Sequence, residues 1–272
     1  MKAIVNVSVC EMYGAPTREA TIVDEVLYGM VVDILEEAAP GWYRICTDYR
    51  YEGIVSAGDL VLGDETAAAW EALPKKVIRN KNHGAVLSIP KVQGWLLQPL
   101  TRGCILATVG EPEGGYQKVQ LVDGRTGYIQ SSILGTYYAA PMALDEDRLR
   151  RELVDAALLY QGSPYRWGGK TPEGIDCSGL CAMAYLLCGI RIYRDADLVE
   201  GFPLREIPME NIKPGDLLFF PGHVAMYMGD GRYLHSTGRV GDDGFTFNSL
   251  NPEDPDFRED LSGKITQIGS YF

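Results

Sequence analysis

Long apolar segments, cysteine and positive charge are all scarce in this sequence of 272 residues. No uncharged apolar run reaches the roughly 18 residues of a membrane-spanning helix, so no membrane span is predicted. Lysine and arginine number 25 against 37 acidic residues, and the net charge of −12 argues against general binding of nucleic acid. Six cysteines are too few for a disulfide scaffold in a chain of this length, so reduced thiols are expected.

The N-terminal segment lacks the features of an export signal. Its first nine residues alternate polar and apolar side chains, with one lysine and no continuous apolar core. This pattern predicts a first β-strand and a cytoplasmic protein. A secreted protein is the alternative if a native signal peptide precedes this sequence.

The first half of the sequence repeats itself at a constant offset of 74 residues, which aligns Gly29 with Gly103 and continues over about thirty positions without a gap. Each copy contains short alternating runs separated by glycine-rich or acidic turns, a pattern typical of small antiparallel barrels. The repeat therefore predicts two small β domains, residues 1–66 and residues 70–136.

The pattern changes after residue 141, where an acidic turn precedes apolar residues at helical spacing. The residues on this predicted helix face are Leu149, Leu153, Ala156 and Tyr160. A second helix is indicated from Cys177 to Cys188, and short apolar runs of strand type follow it. Helices followed by strands predict an α+β domain at residues 143–272.

Cys177 stands where a glycine-rich loop gives way to the second predicted helix, so its thiol would lie at a helix N-terminus. Free N–H groups and the helix dipole favour a thiolate there, and a thiol of ordinary pKa about 8.5 could be ionised at neutral pH beside a histidine. His223 and His235 lie 12 residues apart in one predicted hairpin. These three residues would supply a nucleophile, its base and a group that orients the base.

A structural zinc site is an alternative use of Cys177, Cys181, His223 and His235. Their spacing lacks the tight pairing of zinc modules. We therefore expect neither a metal nor an organic cofactor.

Three ordered motifs sharpen the interpretation. They consist of residues 165–169 (YRWGG) with 176–180 (DCSGL), residues 213–220 (KPGDLLFF) with 222–227 (GHVAMY), and residues 233–236 (YLHS). Together they resemble the motifs of the NlpC/P60 family, and the two repeated domains resemble bacterial SH3 (SH3b) domains. The implied fold is two small SH3-like β barrels followed by a papain-like α+β domain, as in the YkfC-like subgroup of murein-peptide endopeptidases.

The resemblance implies a cysteine peptidase of cell-wall peptide recycling. It would cleave the γ-D-glutamyl to L-diamino acid bond of murein peptides that carry a free N-terminal L-Ala. Carried over by motif, Cys177 is the nucleophile, His223 the general base and His235 the orienting residue, and Tyr165 helps to hold the oxyanion.

The resemblance also implies a substrate cleft. Asp176 would hold the free amine of L-Ala, and Trp167 and Ser178 would line the same cleft. The first SH3b-like module would close one end of the cleft with a tyrosine and an acidic group. The candidates are Tyr51 and either Asp24 or Glu25.

One position departs from the family pattern, because Ala196 stands where a serine is expected to help bind the carboxylate of D-Glu. Arg194 or Arg191 could take over that role. The sequence marks no pocket that would tell lysine from diaminopimelate as the diamino acid. A secreted hydrolase of intact peptidoglycan, a non-catalytic wall-binding protein and a transferase using the same thioester stay open as other functions.

Overall fold

The computed structural model describes residues 1–272, which form two units, Met1–Tyr137 and Tyr138–Phe272. The first unit begins with an antiparallel sheet of seven strands in the order β3-β2-β6-β5-β4-β1-β7. These strands are β1 (Lys2–Val5), β2 (Val9–Tyr13), β3 (Ile22–Leu27), β4 (Val31–Ala39), β5 (Trp42–Cys46), β6 (Glu52–Ser56) and β7 (Leu60–Leu62).

A second seven-stranded sheet repeats this arrangement in the order β10-β9-β13-β12-β11-β8-β14. Its strands are β8 (Lys75–Ile78), β9 (His83–Leu87), β10 (Leu96–Thr101), β11 (Ile105–Thr108), β12 (Tyr116–Gln120), β13 (Thr126–Gln130) and β14 (Leu134–Thr136). The two orders become identical when seven is added to each strand number of the first. The sequence repeat therefore corresponds to a repeated strand topology.

Helix α1 (Asp64–Glu71) links the two sheets and was not expected from the sequence. Trp70 is buried, and its indole Nε1 donates to the carbonyl of Gly29 at 2.9 Å. The ammonium of Lys75 lies 4.9 Å from the centre of the Trp70 ring. These contacts explain why a short segment rich in alanine is helical here, since packing fixes a helix too short to be stable alone.

The two sheets of the first unit meet at the turn after β3. The amide of Ile105 donates to the carbonyl of Tyr28 at 2.8 Å, and the amide of Val122 donates to the Tyr28 hydroxyl at 2.7 Å. Gly29 in this turn has φ +80, and a Cβ at that position would lie 2.3 Å from the carbonyl oxygen of Ile105. Only glycine combines this backbone conformation with so close an approach.

The second unit contains two helices and a six-stranded sheet in the order β17-β22-β18-β19-β20-β21. The helices are α2 (Glu146–Leu158) and α3 (Cys177–Leu187). The strands are β15 (Lys170–Thr171), β16 (Gly174–Ile175), β17 (Arg205–Glu206), β18 (Leu217–Phe220), β19 (His223–Gly229), β20 (Arg232–Thr237), β21 (Gly244–Ser249) and β22 (Gln267–Ser270). Strands β15 and β16 form a separate two-stranded sheet.

Both predicted helices of this unit are present, and α3 begins at the predicted residue. The side chains expected on the buried face of the first helix are all buried, and Tyr160 lies just beyond its end. Gly189 follows α3 with φ +81, as expected of a glycine that ends a helix. The predicted hairpin is formed by β19 and β20, and α3 packs on both strands. None of the three α-helices combines the length and the apolar character needed to cross a bilayer.

The close approach at Gly29 predicts a large loss of stability in Gly29→Ala. Gly41→Ala is the matched control, because Gly41 has the same φ of +80 but nothing within 4 Å of an added Cβ. The control should lose about 1 kcal/mol from backbone strain alone. Gly29→Ala should lose at least about 1 kcal/mol more, the size of a broken buried hydrogen bond. Urea unfolding of both variants measures the difference, and equal losses would contradict the tight contact.

Candidate active site

The first turn of α3 is built around the carboxylate of Asp176. Asp176 is the residue before the helix, and its Oδ1 accepts from the amide of Gly179 at 2.6 Å, which caps the helix N-terminus. Its Oδ2 accepts from the amide of Gly168 at 2.8 Å. A Cβ on Gly179 would lie 2.2 Å from the carbonyl oxygen of Gly169, so the glycines of the two motif segments let these segments touch.

Cys177 is the first residue of α3, and its side chain is nearly buried. The backbone N–H groups of Ser178 and Val224 face the sulfur and favour the thiolate. Burial, followed by the nearby charge of Asp176, acts more strongly and raises the pKa of Cys177 to about 11. The helix N-terminus alone therefore does not keep this thiol ionised at neutral pH, because desolvation outweighs it.

The hairpin brings the two candidate histidines together, as the sequence predicts. Met226 pairs with Leu234, so the alternation of side chains puts His223 and His235 on one common face of the sheet. Nε2 of His223 and Nδ1 of His235 lie 2.6 Å apart, within hydrogen-bond distance. The amide that faces the Cys177 sulfur belongs to Val224, the residue after His223. The Cys177 thiol therefore lies against the start of β19, the strand that begins with His223.

Asn248 extends this arrangement and was missed in the sequence. In β21 it pairs with Tyr233, two residues from His235, and so shares the face of that histidine. Its Oδ1 lies 2.8 Å from Nε2 of His235. The signal that could have revealed it is the alternation in residues 245–248 (FTFN), which is typical of a strand with one polar face.

Both imidazoles are neutral at pH 7. Burial, with the neighbouring His235 as the next cause, lowers the pKa of His223 to about 3. Burial likewise lowers the pKa of His235 to about 4, although the hydrogen bond that its Nε2 donates to Asn248 partly opposes the shift. A neutral imidazole next to a protonated thiol can accept its proton, which is the first requirement for general-base catalysis.

The geometry speaks against the zinc alternative. Three of the four imidazole nitrogens are occupied by the contacts between His223 and His235 and between His235 and Asn248. One nitrogen, Nδ1 of His223, remains for another partner. A tetrahedral site built on both histidines would have to break this arrangement.

Arg194 lies beneath the site, with its side chain 1% exposed. Its guanidinium donates to Oδ1 of Asp176 at 3.1 Å, to Oδ2 at 3.0 Å and to the Ser178 hydroxyl at 2.7 Å. Arg191 donates to the backbone carbonyls of residues 138, 139 and 189. Both arginines thus contact other parts of this unit, and a role for Arg194 or Arg191 in binding the substrate carboxylate stays a prediction.

The predicted ammonium partner, Asp176, already accepts five hydrogen bonds. Its donors are the amides of Gly168 and Gly179, the hydroxyl of Ser178 and two nitrogens of Arg194. This saturation favours a role in building the site. The role of Asp176 in binding the substrate amine stays a prediction.

Tyr165 and Trp167 come from the loop before the helix. The Tyr165 ring is half-buried against Gly238, and its pKa is raised to about 12 by burial, then by the nearby Cys177 and Asp176. Its hydroxyl is therefore protonated and able to donate at neutral pH. Trp167 is 65% exposed, as suits a side chain that lines an open cleft.

The residues predicted to close the cleft belong to the first unit. Asp24 and Glu25 are buried in β3, and the Tyr49 hydroxyl donates to Oδ2 of Asp24 at 2.6 Å. Tyr51 precedes β6 and is partly exposed, and its amide donates to the Thr47 hydroxyl at 3.0 Å. The part that Tyr51, Asp24 and Glu25 play in substrate binding stays a prediction.

Comparison with known proteins gives matches to the whole chain and to its catalytic half. The model of the NlpC/P60 family matches residues 162–251, which include the cysteine, both histidines and Asn248. Over 100% of both chains, the sequence is 42% identical to a dipeptidyl-peptidase 6 of Lysinibacillus sphaericus. This chain belongs to the NlpC/P60 family. It is a cysteine peptidase.

Two further relatives extend this result. A γ-D-glutamyl-L-lysine dipeptidyl-peptidase of Bacillus subtilis is 33% identical over 46% of this chain and 42% of its own length. The crystal structure of an NlpC/P60 family protein from Bacillus cereus aligns with 100% of this chain and 99% of its own, with a TM-score of 0.77 and 20% identity. The structural match shows that the fold is shared.

Because His223 and His235 are buried as neutral imidazoles, we expect the folded protein to lose stability when the pH falls below 6.5. Both folded pKa values lie below the ordinary value of 6.5, so the unfolded chain binds protons first. Their contribution to stability is complete above pH 6.5 and falls by up to about 1.4 kcal/mol per pH unit for each imidazole below it.

Urea unfolding at pH 7.5 and pH 5 measures this loss. His235→Gln should lose less stability than the wild type over the same interval. His83→Gln, which changes the exposed histidine of β9, is the control and should behave as the wild type does. An unchanged pH dependence in His235→Gln would contradict a buried neutral imidazole.

Proposed function

We propose that this enzyme hydrolyses the γ-D-glutamyl to L-diamino acid bond of murein peptides with a free N-terminal L-Ala. The observation that carries the proposal is the placement of the Cys177 sulfur against the amide that follows His223, with the His223 ring held by a hydrogen bond to His235. The relatives named dipeptidyl-peptidase 6 and γ-D-glutamyl-L-lysine dipeptidyl-peptidase support this substrate class. A cytoplasmic enzyme of peptide recycling fits this role.

Acylation begins when Nδ1 of His223 takes the proton of the Cys177 thiol. The sulfur attacks the γ-carbonyl carbon of D-Glu, and the carbonyl oxygen becomes an oxyanion. The backbone N–H of Cys177 has no intrahelical acceptor and can donate to this oxygen together with the Tyr165 hydroxyl. The imidazolium of His223 then gives its proton to the leaving amine, the C–N bond breaks, and a thioester remains.

Deacylation reverses the roles of the same groups. With the diamino acid gone, a water molecule occupies its place and gives a proton to His223 as its oxygen attacks the thioester. The C–S bond breaks, the thiolate recovers the proton from His223, and L-Ala-γ-D-Glu leaves with a free γ-carboxyl group, which gives its remaining proton to solvent. Each cycle consumes one water and returns both side chains to their neutral forms.

Because the pKa of Cys177 is raised and that of His223 is lowered, proton transfer between them accompanies the attack on the substrate and does not precede it. The thiol and the imidazole rest as a neutral pair, and charge separates only as the sulfur attacks. The N–H groups of Ser178 and Val224 stabilise the negative sulfur at that moment. Proton transfer is thus coupled to the presence of substrate.

We further propose that the two sheets of the first unit are SH3b-like modules and that the first one selects the substrate. Asp176 would hold the ammonium group of L-Ala, and Tyr51 with Asp24 or Glu25 would close the end of the cleft beyond it. In intact murein a lactyl amide blocks that amine, so a closed cleft would favour trimmed peptides.

Removal of the nucleophile predicts the loss of turnover. Cys177→Ala should lower kcat by at least about 10⁴-fold, because no other group can form the thioester. Cys46→Ala is the control, since Cys46 is a partly exposed thiol of β5 in the other unit. Hydrolysis of L-Ala-γ-D-Glu-L-Lys, followed by chromatography with a check of folding by circular dichroism, measures both. Turnover by a folded Cys177→Ala would refute the mechanism.

If the enzyme selects substrates by their free N-terminal amine, it should prefer a peptide with free L-Ala over the same peptide with N-acetylated L-Ala. N-acetylation of L-Ala should reduce kcat/KM by about 100-fold or more, because it removes a charge-assisted contact and adds bulk at a closed end. Mass spectrometry of the products measures the loss, and the same assay with lysine or diaminopimelate identifies the preferred diamino acid. Preference for isolated sacculi would instead support a hydrolase of intact peptidoglycan.

A further inference from the structure

The hydrogen-bonded chain of the active site continues beyond His235 to a backbone carbonyl. Nδ2 of Asn248 lies 2.6 Å from the carbonyl oxygen of Asp256. That carbonyl belongs to a fixed segment, because the Asp256 side chain forms an ion pair with Arg232 of β20 and Phe257 forms a β-bridge with Ser249. The series of hydrogen bonds therefore ends at the Asp256 carbonyl oxygen, a group that can only accept.

A carbonyl oxygen carries no proton and can only accept a hydrogen bond. The Asn248 amide must therefore present its NH₂ group to Asp256, which turns its Oδ1 toward His235. Oδ1 is also only an acceptor, and it lies 2.8 Å from Nε2 of His235. The proton of the neutral His235 ring must accordingly reside on Nε2.

The position of the proton on His235 fixes the position of the proton on His223. A neutral imidazole has one proton, so Nδ1 of His235 is a bare acceptor. Nε2 of His223, 2.6 Å away, must then carry the proton of its own ring and donate it. The remaining nitrogen of His223, Nδ1, is left without a proton.

We propose that Asn248 is a positioning residue that sets the tautomers of both histidines and so presents an unprotonated Nδ1 of His223 to the Cys177 thiol. This inference rests on the proposed function for the identity of the base. The opposite tautomers would let His235 donate from Nδ1 to His223 and would put a proton on Nδ1 of His223. That nitrogen could not then accept the thiol proton.

The neutrality of Asn248 matters as much as its direction. The charged groups around the two rings are Arg258, with its partners Asp260 and Asp242, together with Asp176 and the Arg232–Asp256 pair. A carboxylate at position 248 would add a negative charge against His235 and favour its imidazolium form. An amide fixes the direction of the hydrogen bonds and leaves both rings neutral.

Nitrogen-15 NMR of protein labelled at histidine tests the tautomers directly. The chain has only three histidines, and His83→Gln removes the exposed one for assignment. At pH 7.5 the long-range couplings should show Nε2 protonated and Nδ1 bare in both His223 and His235. A proton on Nδ1 of either ring would overturn the proposal. This readout needs no substrate, so its failure is distinguishable from failure of the proposed function.

Three variants link the tautomer to catalysis. Asn248→Leu, which keeps the branched shape of the side chain but removes its polar atoms, should lower kcat by about 10- to 100-fold with little change in KM and should mix the tautomers of His235. Asn248→Asp loses the donor to the Asp256 carbonyl but keeps an acceptor for Nε2 of His235, so it should keep the tautomers and move the acidic limb of the kcat/KM profile to higher pH. Asn82→Leu, a change of an exposed asparagine in the first unit, should match the wild type. Wild-type kcat and tautomers in Asn248→Leu would overturn the proposal.

Discussion

The hydrogen bonds that join His223, His235 and Asn248 depend on the register of three neighbouring strands. Strands β19, β20 and β21 are antiparallel, and their pairing puts His223, His235 and Asn248 on a common face, each within reach of the next. A shift of one residue in either pairing would turn one of these side chains to the other face. The hydrophobic pattern that fixes the register therefore also fixes the catalytic geometry.

Burial gives this arrangement its electrostatic character. His235 is fully buried, and an imidazolium there would lose its hydration without a facing carboxylate to replace it. The rings stay neutral for this reason, and the same loss of hydration keeps the Cys177 thiol protonated. The preformed ion pair expected of a cysteine at a helix N-terminus gives way to a neutral pair. The N–H groups around the sulfur then act on the charge that develops during attack.

Motif spacing and strand alternation in the sequence predicted the site residues whose placement depends on nearby parts of the chain. Residues 165–169, Cys177 and the two histidines were found because motif spacing and strand alternation act over short distances. Asn248 was missed because its role depends on which strand lies beside β20, and a chain position 13 residues away does not reveal this. The saturation of Arg194 was missed for a similar reason, since its partners come from the loop and the helix that fold against it. Helix α1 was missed because it has only eight residues, too few for its alanine-rich sequence to be helical alone, and the packing of Trp70 stabilises it.

The pair of Asp176 and Arg194 shows how one buried contact holds several parts of the site in place. A buried ion pair gains little stability by itself, because both charges lose their hydration. Here, however, the carboxylate also caps α3 through Gly179 and holds the amide of Gly168. The loop that carries Tyr165 and Trp167 is thereby tied to the helix that carries the nucleophile. Asp176, together with the β-bridge between Tyr165 and Ile175, therefore helps to fix the separation between Tyr165 and the sulfur.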